Sequence, residues 1–255
     1  MSRSERSGGR TPRYDLIGSG YAATRREDPR IAAAVRDALG DASSVANIGA
    51  GTGSYEPRDR QLIAVDPSKV MLAQRPAGAS PAIRGSAEQI PLGDASVDAA
   101  MAVFTDQHWD NCAQGLAEMR RIARRRVVAL TIDHESGDHF WLIRDYLGQY
   151  RQLRPPGGGL WELGLESGAD IRPVPVPWDC VDGFFRAFWR RPRAYLDPAV
   201  RAGMSVFRRL DSLSVGDAML CLSEDLASGA WRERNGDLLD VDELDLGVRL
   251  IVWTT

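Results

Sequence analysis

The sequence is poor in the residues that build cross-links and metal centres. Its 255 residues include three cysteines, Cys112, Cys180 and Cys221, and three histidines. The cysteines are far apart and form neither a CxxC pair nor a Cys/His ligand pattern, which argues against a secreted disulfide framework and a structural zinc. No metal site is expected. Long apolar runs are also missing. VVALTI at 127–132 is among the longest, far short of the ~18 residues that span a bilayer. The opening MSRSERSGGRTPR has no apolar stretch of the secretory-signal kind. Nor is there an excess of one charge: 32 basic against 35 acidic side chains leave a net charge of −3. Such a chain has no overall electrostatic drive toward nucleic acid or an anionic membrane. The expectation is a soluble, cytoplasmic protein, monomer or homodimer, with no nucleic-acid or membrane partner.

What is present is the composition of a globular domain, 44% apolar and 26% charged. Residues 1–12 read as a disordered tail and 13–255 as one domain. DPRIAAAVRDALG (28–40) has the marks of a helix: Asp28 to cap it, Pro29 in its first turn, Gly40 to end it. Short apolar strands follow at 44–49, 61–66, 81–86, 96–104 and 125–132, with helices expected at 67–74 and 110–124. Unbroken apolar runs separated by helices predict an α/β fold, a mostly parallel sheet covered on both faces. The second half predicts helix over 138–153 and 160–169 and an extended edge segment at 171–177. Several short helices over 178–231, one of them at 181–191, precede a last strand at 246–254. That gives about seven strands with a helical insertion.

The strongest chemical signal is Asn47-Ile48-Gly49-Ala50-Gly51-Thr52-Gly53, directly after the first strand. Glycines there let the backbone approach a ligand without a Cβ in the way. The second strand ends in Asp66, an acid placed to accept the two hydroxyls of an adenosine ribose at the switch point of such a sheet. The glycine spacing is GxGxG rather than the dinucleotide GxGxxG.

This pattern resembles motif I of the class I S-adenosylmethionine-dependent methyltransferases, in the type 11 branch related to ubiquinone and menaquinone biosynthesis enzymes. The closer likeness is to uncharacterised and natural-product methyltransferases. The resemblance covers 44–132 in order and spacing and implies a Rossmann-like fold. It implies S-adenosylmethionine as cofactor, with S-adenosylhomocysteine as product. The cofactor residues it implies are Asn47, Gly49, Ala50, Gly51, Gly53, Asp66 and Pro67, then Ser86, Ala87 and Glu88 at the adenine, then Phe104 and Thr105 after the fourth strand. Asn47 stands where many members carry an acid, and it brings an amide oxygen but no charge. Tyr14, Tyr21 and Arg25 resemble the N-terminal lid of this branch, where a guanidinium suits the cofactor carboxylate. The competing reading is that Tyr21 and Arg25 only share a helix face.

His108, with Asp106, is the catalytic candidate by position, since a histidine can take a proton near neutral pH. It could equally only shape the pocket, because methyl transfer from a sulfonium often needs little beyond alignment. Trp109, His139, Phe184, Phe188 and Trp189 are the candidate acceptor contacts, with 134–158 and 178–231 as a helical lid. These readings predict methyl transfer to a small molecule, with a natural product the favoured class. The alternatives are a cofactor-binding scaffold or regulatory protein, or an RNA or protein methyltransferase.

Overall fold

The structure, a computed structural model, describes residues 25–137, 139–153 and 158–255. The candidate residues Tyr14 and Tyr21 and the N-terminal tail lie outside these.

Five parallel strands carry the sheet: β1 (Ser44–Ile48), β2 (Gln61–Asp66), β3 (Ala82–Arg84), β4 (Val97–Val103) and β5 (Ala123–Ile132). Two more complete it, β6 (Asp170–Pro173) at the edge and β9 (Val248–Thr254), which runs antiparallel to both β5 and β6. Between them in sequence, β7 (Val176–Pro177) and β8 (Glu243–Leu244) pair apart from the main sheet. The order is β3-β2-β1-β4-β5-β9-β6. Strands are added outward in one direction from β1 to β3 and in the other from β4 onward, and the cleft at that switch point opens at the carboxyl ends of the strands.

Alternate side chains feed two cores, as a pleated strand requires. Val45, Ala64, Met101, Val128 and Leu130 face one side, under α1 (Pro29–Leu39) and the insertion formed by residues 140–153 and 174–246. Ala46, Ile48, Val65, Ala100, Val127 and Ala129 face the other, under α3 (Cys112–Ile122) and α6 (Leu160–Glu166). The helix α2 (Lys69–Ala73) is shorter than expected. Ser68 caps it by accepting from the Met71 amide at 3.2 Å, so Pro67 precedes the helix instead of starting it. Among the described residues no helix is long and apolar enough to cross a membrane.

The connection from β1 to β2 is a loop in which Gly49, Gly51, Gly53 and Tyr55 take φ of 70°, 53°, 96° and 65°, far from the helical value near −63°. Two expectations are corrected. After α4 (His134–Gly137), the stretch 138–153, as far as it is described, breaks into α5 (Trp141–Asp145) and a 3-10 turn (Gly148–Leu153), because Tyr146 at φ −129° leaves the helical range. Residues 181–191 form successive turns, with Ala187 N–H on the Phe184 carbonyl (3.0 Å) and Arg191 N–H on the Phe188 carbonyl (2.9 Å). Phe184, Phe185, Ala187 and Trp189 are all buried. They have no polar face to present to water, which a surface helix needs.

Asp28 fixes the start of α1 to the insertion. Its carboxylate accepts from the Arg30 amide and side chain and from the Val181 amide (3.1 Å), and Arg30 also reaches Asp179 (2.7 Å). Burial works against its charge, but these bonds outweigh it and lower its pKa to about 2. A carboxyl depressed in the folded state contributes stability that is full above its unfolded value and is lost as pH falls through the folded one. Acid unfolding should therefore show an Asp28-dependent loss between pH 4 and 2. Asp28→Asn should lower stability at pH 7 and flatten that acid limb in a urea-melt series. An unchanged limb would dismiss the linkage.

Candidate functional site

The glycine loop, the tip of β2 and the tip of β4 meet at the switch point. Asp66 is buried, and its two oxygens accept from the Gly51 amide (2.8 Å) and the Ser68 amide (2.8 Å). The carboxylate thus holds the glycine loop against the turn after β2. Gly49 is pressed against Thr105: a Cβ there would stand 2.0 Å from the Thr105 Oγ1. Gly51 leaves a hollow that a Cβ would enter, 3.2 Å from Met71 Cε. The side chain of Asn47 donates to Glu56 Oε1 (3.0 Å), and Glu56 forms a two-pronged pair with Arg75 at 2.9 and 2.7 Å. Asn47 therefore brings no charge itself but touches one. These groups suit a nucleoside with an amino-acid arm: a bare backbone cradle, an acid at ribose distance from it, and polar groups beyond.

Next along the sheet edge, Ala87 is buried and Ser86 bridges Gln89 within a turn. Glu88 has a different task from its expected one. Its Oε1 accepts from the Asp110 and Asn111 amides at 2.8 and 3.3 Å, tying this turn to the start of α3. Trp109 packs on Gly115, whose missing Cβ leaves room for the indole. It sits beside Ala87 in the second core, apart from the candidate acceptor residues.

At the tip of β4, Phe104 adopts φ 50°, costly for a bulky residue. Its ring stacks on Phe184 at 5.1 Å and meets Tyr55 edge-on at 6.4 Å. His108 closes the 3-10 turn that follows, with its amide on the Thr105 carbonyl (2.9 Å) and Nε2 3.3 Å from Gln107 Nε2. Asp106 points elsewhere. It is buried, accepts from Thr131 Oγ1 (2.8 Å) and the Leu160 amide (3.2 Å), and so anchors the start of α6. Burial pushes its carboxyl up, opposed by those two bonds. This is an anchoring arrangement, not that of a group poised beside an acceptor.

Of the acceptor candidates, Phe184 alone reaches the site. A cavity of about 50 Å³ opens beside it, walled by Arg25, Phe104, Gln107 and Tyr150 among others. Trp189 is core: its indole N–H donates to the Val176 carbonyl (3.0 Å), and its own carbonyl accepts from Trp141 (2.7 Å). Phe188 packs on Tyr195 under the Arg191 guanidinium. His139 is exposed at a separate hollow lined by Arg144 and Arg234. Arg25 is paired through two bonds with Asp182, at 2.6 and 3.1 Å, and Tyr55 donates to the same carboxylate at 2.8 Å. Sequence reasoning missed Asp182, Tyr55, Glu56, Arg75 and Arg186, because none carries a local motif and each is brought in by long-range packing.

Residues 46–130 match the family described as a methyltransferase domain. Across 91% of this chain and 99% of the other, the fold is similar to the crystal structure of a candidate methyltransferase from an antibiotic biosynthesis pathway of Anabaena variabilis (TM-score 0.82, 32% identity). Uncharacterised methyltransferases of Mycobacterium tuberculosis and Mycobacterium bovis are 40% identical over 89 residues, which is 32% of this chain. The match spans about a third, 36%, of the length of these curated relatives.

Proposed function

Because the chain belongs to the class I S-adenosylmethionine-dependent methyltransferases, we propose that it moves the methyl group of S-adenosylmethionine to a small-molecule acceptor, with a natural product the favoured class. When bound, the cofactor supplies an electrophilic methyl on a sulfonium. The chain's own residues bind and align. The glycine loop cradles the arm, Asp66 receives the ribose hydroxyls, and Ser86 and Ala87 edge the adenine. Phe104 and Thr105 form the floor, where His108 stands ready to take a proton from the acceptor. Alignment in a closed pocket supplies most of the acceleration such a reaction needs.

The observation that carries this reading is the cavity at the tips of β4 and β5. Phe104 and Ile132 line it from the sheet, Phe184 and Met204 from the insertion. An acceptor reaching that spot must be small enough to pass beneath the insertion, unlike an RNA or protein surface. The relative from Anabaena variabilis, described with an antibiotic pathway, supports a natural-product acceptor.

The test is calorimetry on wild type and Asp66→Ala. S-adenosylhomocysteine should bind wild type and NAD should not. Loss of Asp66 removes charge-assisted bonds worth about 1.5–3 kcal/mol each, so affinity should fall at least tenfold while the circular dichroism spectrum is kept. Equal affinity in the two proteins would remove Asp66 from the cofactor site. NAD binding without S-adenosylhomocysteine binding would end the methyltransferase reading.

A further inference from the structure

Arg186 stands in the wall of the acceptor cavity, and nothing in the proposed transfer yet uses it. It is 1% exposed. Its Nη1 donates to the Leu246 carbonyl and its Nη2 to Tyr150 Oη (3.3 Å). Both partners are neutral. Arg186 forms no ion pair among the described residues, while the other cavity arginine, Arg25, is matched by Asp182. The charge of Asp245 is felt nearby, but that carboxylate is already bonded to Arg249 (2.6 Å) and to the Gly247 amide (2.9 Å). The described residues lining the cavity include two arginines and no aspartate or glutamate.

A guanidinium keeps its proton under any condition in which the protein folds. Burying that charge is costly unless an anion meets it. A fork of N–H donors matches the paired oxygens of a carboxylate or a phosphate, and a small cavity with apolar walls suits the smaller, singly charged carboxylate. Beside the fork lie flat apolar walls: Phe185 stacked on Tyr150 at 5.3 Å, and Phe184 stacked on Phe104 at 5.1 Å. Phe104 and Gln107 belong to the strand tip that floors the transfer site, so an acid held on Arg186 lies next to it.

Building on the methyltransferase reading above, we propose that the acceptor is a small, planar organic acid whose carboxylate is anchored by Arg186 and whose apolar body lies against the Phe104–Phe184 and Tyr150–Phe185 stacks. Arg186 is then a specificity-determining residue: it selects acids over their neutral analogues and has no part in holding the cofactor.

The experiment uses matched probes of increasing size, namely acetate with acetamide, propionate with propionamide, and benzoate with benzamide. Binding to the full chain loaded with S-adenosylhomocysteine is followed by ligand-observed NMR and calorimetry. In wild type, at least one acid should bind tenfold or more tightly than its amide. Arg186→Gln and Arg186→Met should abolish that preference, and Arg186→Lys should keep part of it. All three should bind S-adenosylhomocysteine as wild type does, which also reports the fold. If a neutral variant fails to fold, the wild-type pairs and Arg186→Lys decide. Amides that match acids in every pair, no binding of any acid, or a preference that survives Arg186→Gln would each overturn the assignment and leave the methyltransferase reading standing. Failure of wild type to bind S-adenosylhomocysteine would instead overturn that reading, and this inference with it.

Discussion

Gly49→Ala is expected to cost both stability and cofactor binding. The added Cβ would lie 2.0, 2.8 and 2.9 Å from three atoms of Thr105, in a backbone held at φ 70°. A left-handed alanine costs about 1–2 kcal/mol and overpacking about 1–3 more, a total of about 2–5 kcal/mol. At this chain length that corresponds to a drop in Tm of about 4–20 °C. Relief requires the tips of β1 and β4 to separate, which moves the glycine loop relative to Phe104. A displacement of about 1 Å can cost on the order of a hundredfold in a well-aligned reaction, so methyl transfer should fall at least that far. Gly78→Ala is the control. It has φ 80° with nothing within 4 Å of the added atom, so only the left-handed conformational cost of about 1–2 kcal/mol should appear. Combining Gly49→Ala with Thr105→Gly removes the collision but not the φ cost, and should recover part of the Tm. The close packing of Gly49 on Thr105 has no consequence for binding if Gly49→Ala melts like Gly78→Ala and binds S-adenosylhomocysteine like wild type.

Much of the sheet was legible in the sequence because its signals are local. The runs expected at 44–49, 61–66, 96–104 and 125–132 became β1, β2, β4 and β5 within two residues at each end, and Asp28 caps its helix through its side chain on the nearby Arg30 amide. The glycine loop and Asp66 announce the cofactor end of the site for the same reason: both lie beside strand ends that the chain itself defines. The acceptor end was not legible. Trp189 and Phe184 have the same apolar character, and only the packed insertion decides that one enters the core while the other stacks on Phe104. Asp106 looked like a partner for His108 by proximity in sequence, yet it is spent on the start of a helix more than fifty residues on. Arg186 was invisible among the many arginines, since only the packed structure shows that, unlike Arg25, it has no ion pair among the described residues.

The same insertion makes Asp182 the residue whose loss should be most costly outside the glycine loop. It is wholly buried and binds Arg25 through both oxygens, while Tyr55 donates to one of them. Three distant stretches thus meet on one carboxylate: the approach to α1, the connection after the glycine loop, and the insertion. Burial first, and then the Asp182 charge, push the Tyr55 hydroxyl well above its ordinary range, so it remains a donor. Removing one partner of a buried pair leaves the other charge uncompensated, at about 3–5 kcal/mol. Asp182→Ala should fall in that range by urea unfolding. Tyr55→Phe removes a single bond to a charged acceptor and should cost about 1.5–3 kcal/mol. Arg25→Met combined with Asp182→Leu replaces both charges with apolar bulk. It should be less destabilising than the sum of its single changes, the signature of direct coupling. Arg25 also lies 6.0 Å from the centre of the Phe104 ring, so loosening it should raise the KM for S-adenosylmethionine along with the loss of stability. Additive single and double changes, or Asp182→Ala within 1 kcal/mol of wild type, would show that these three stretches are held together elsewhere.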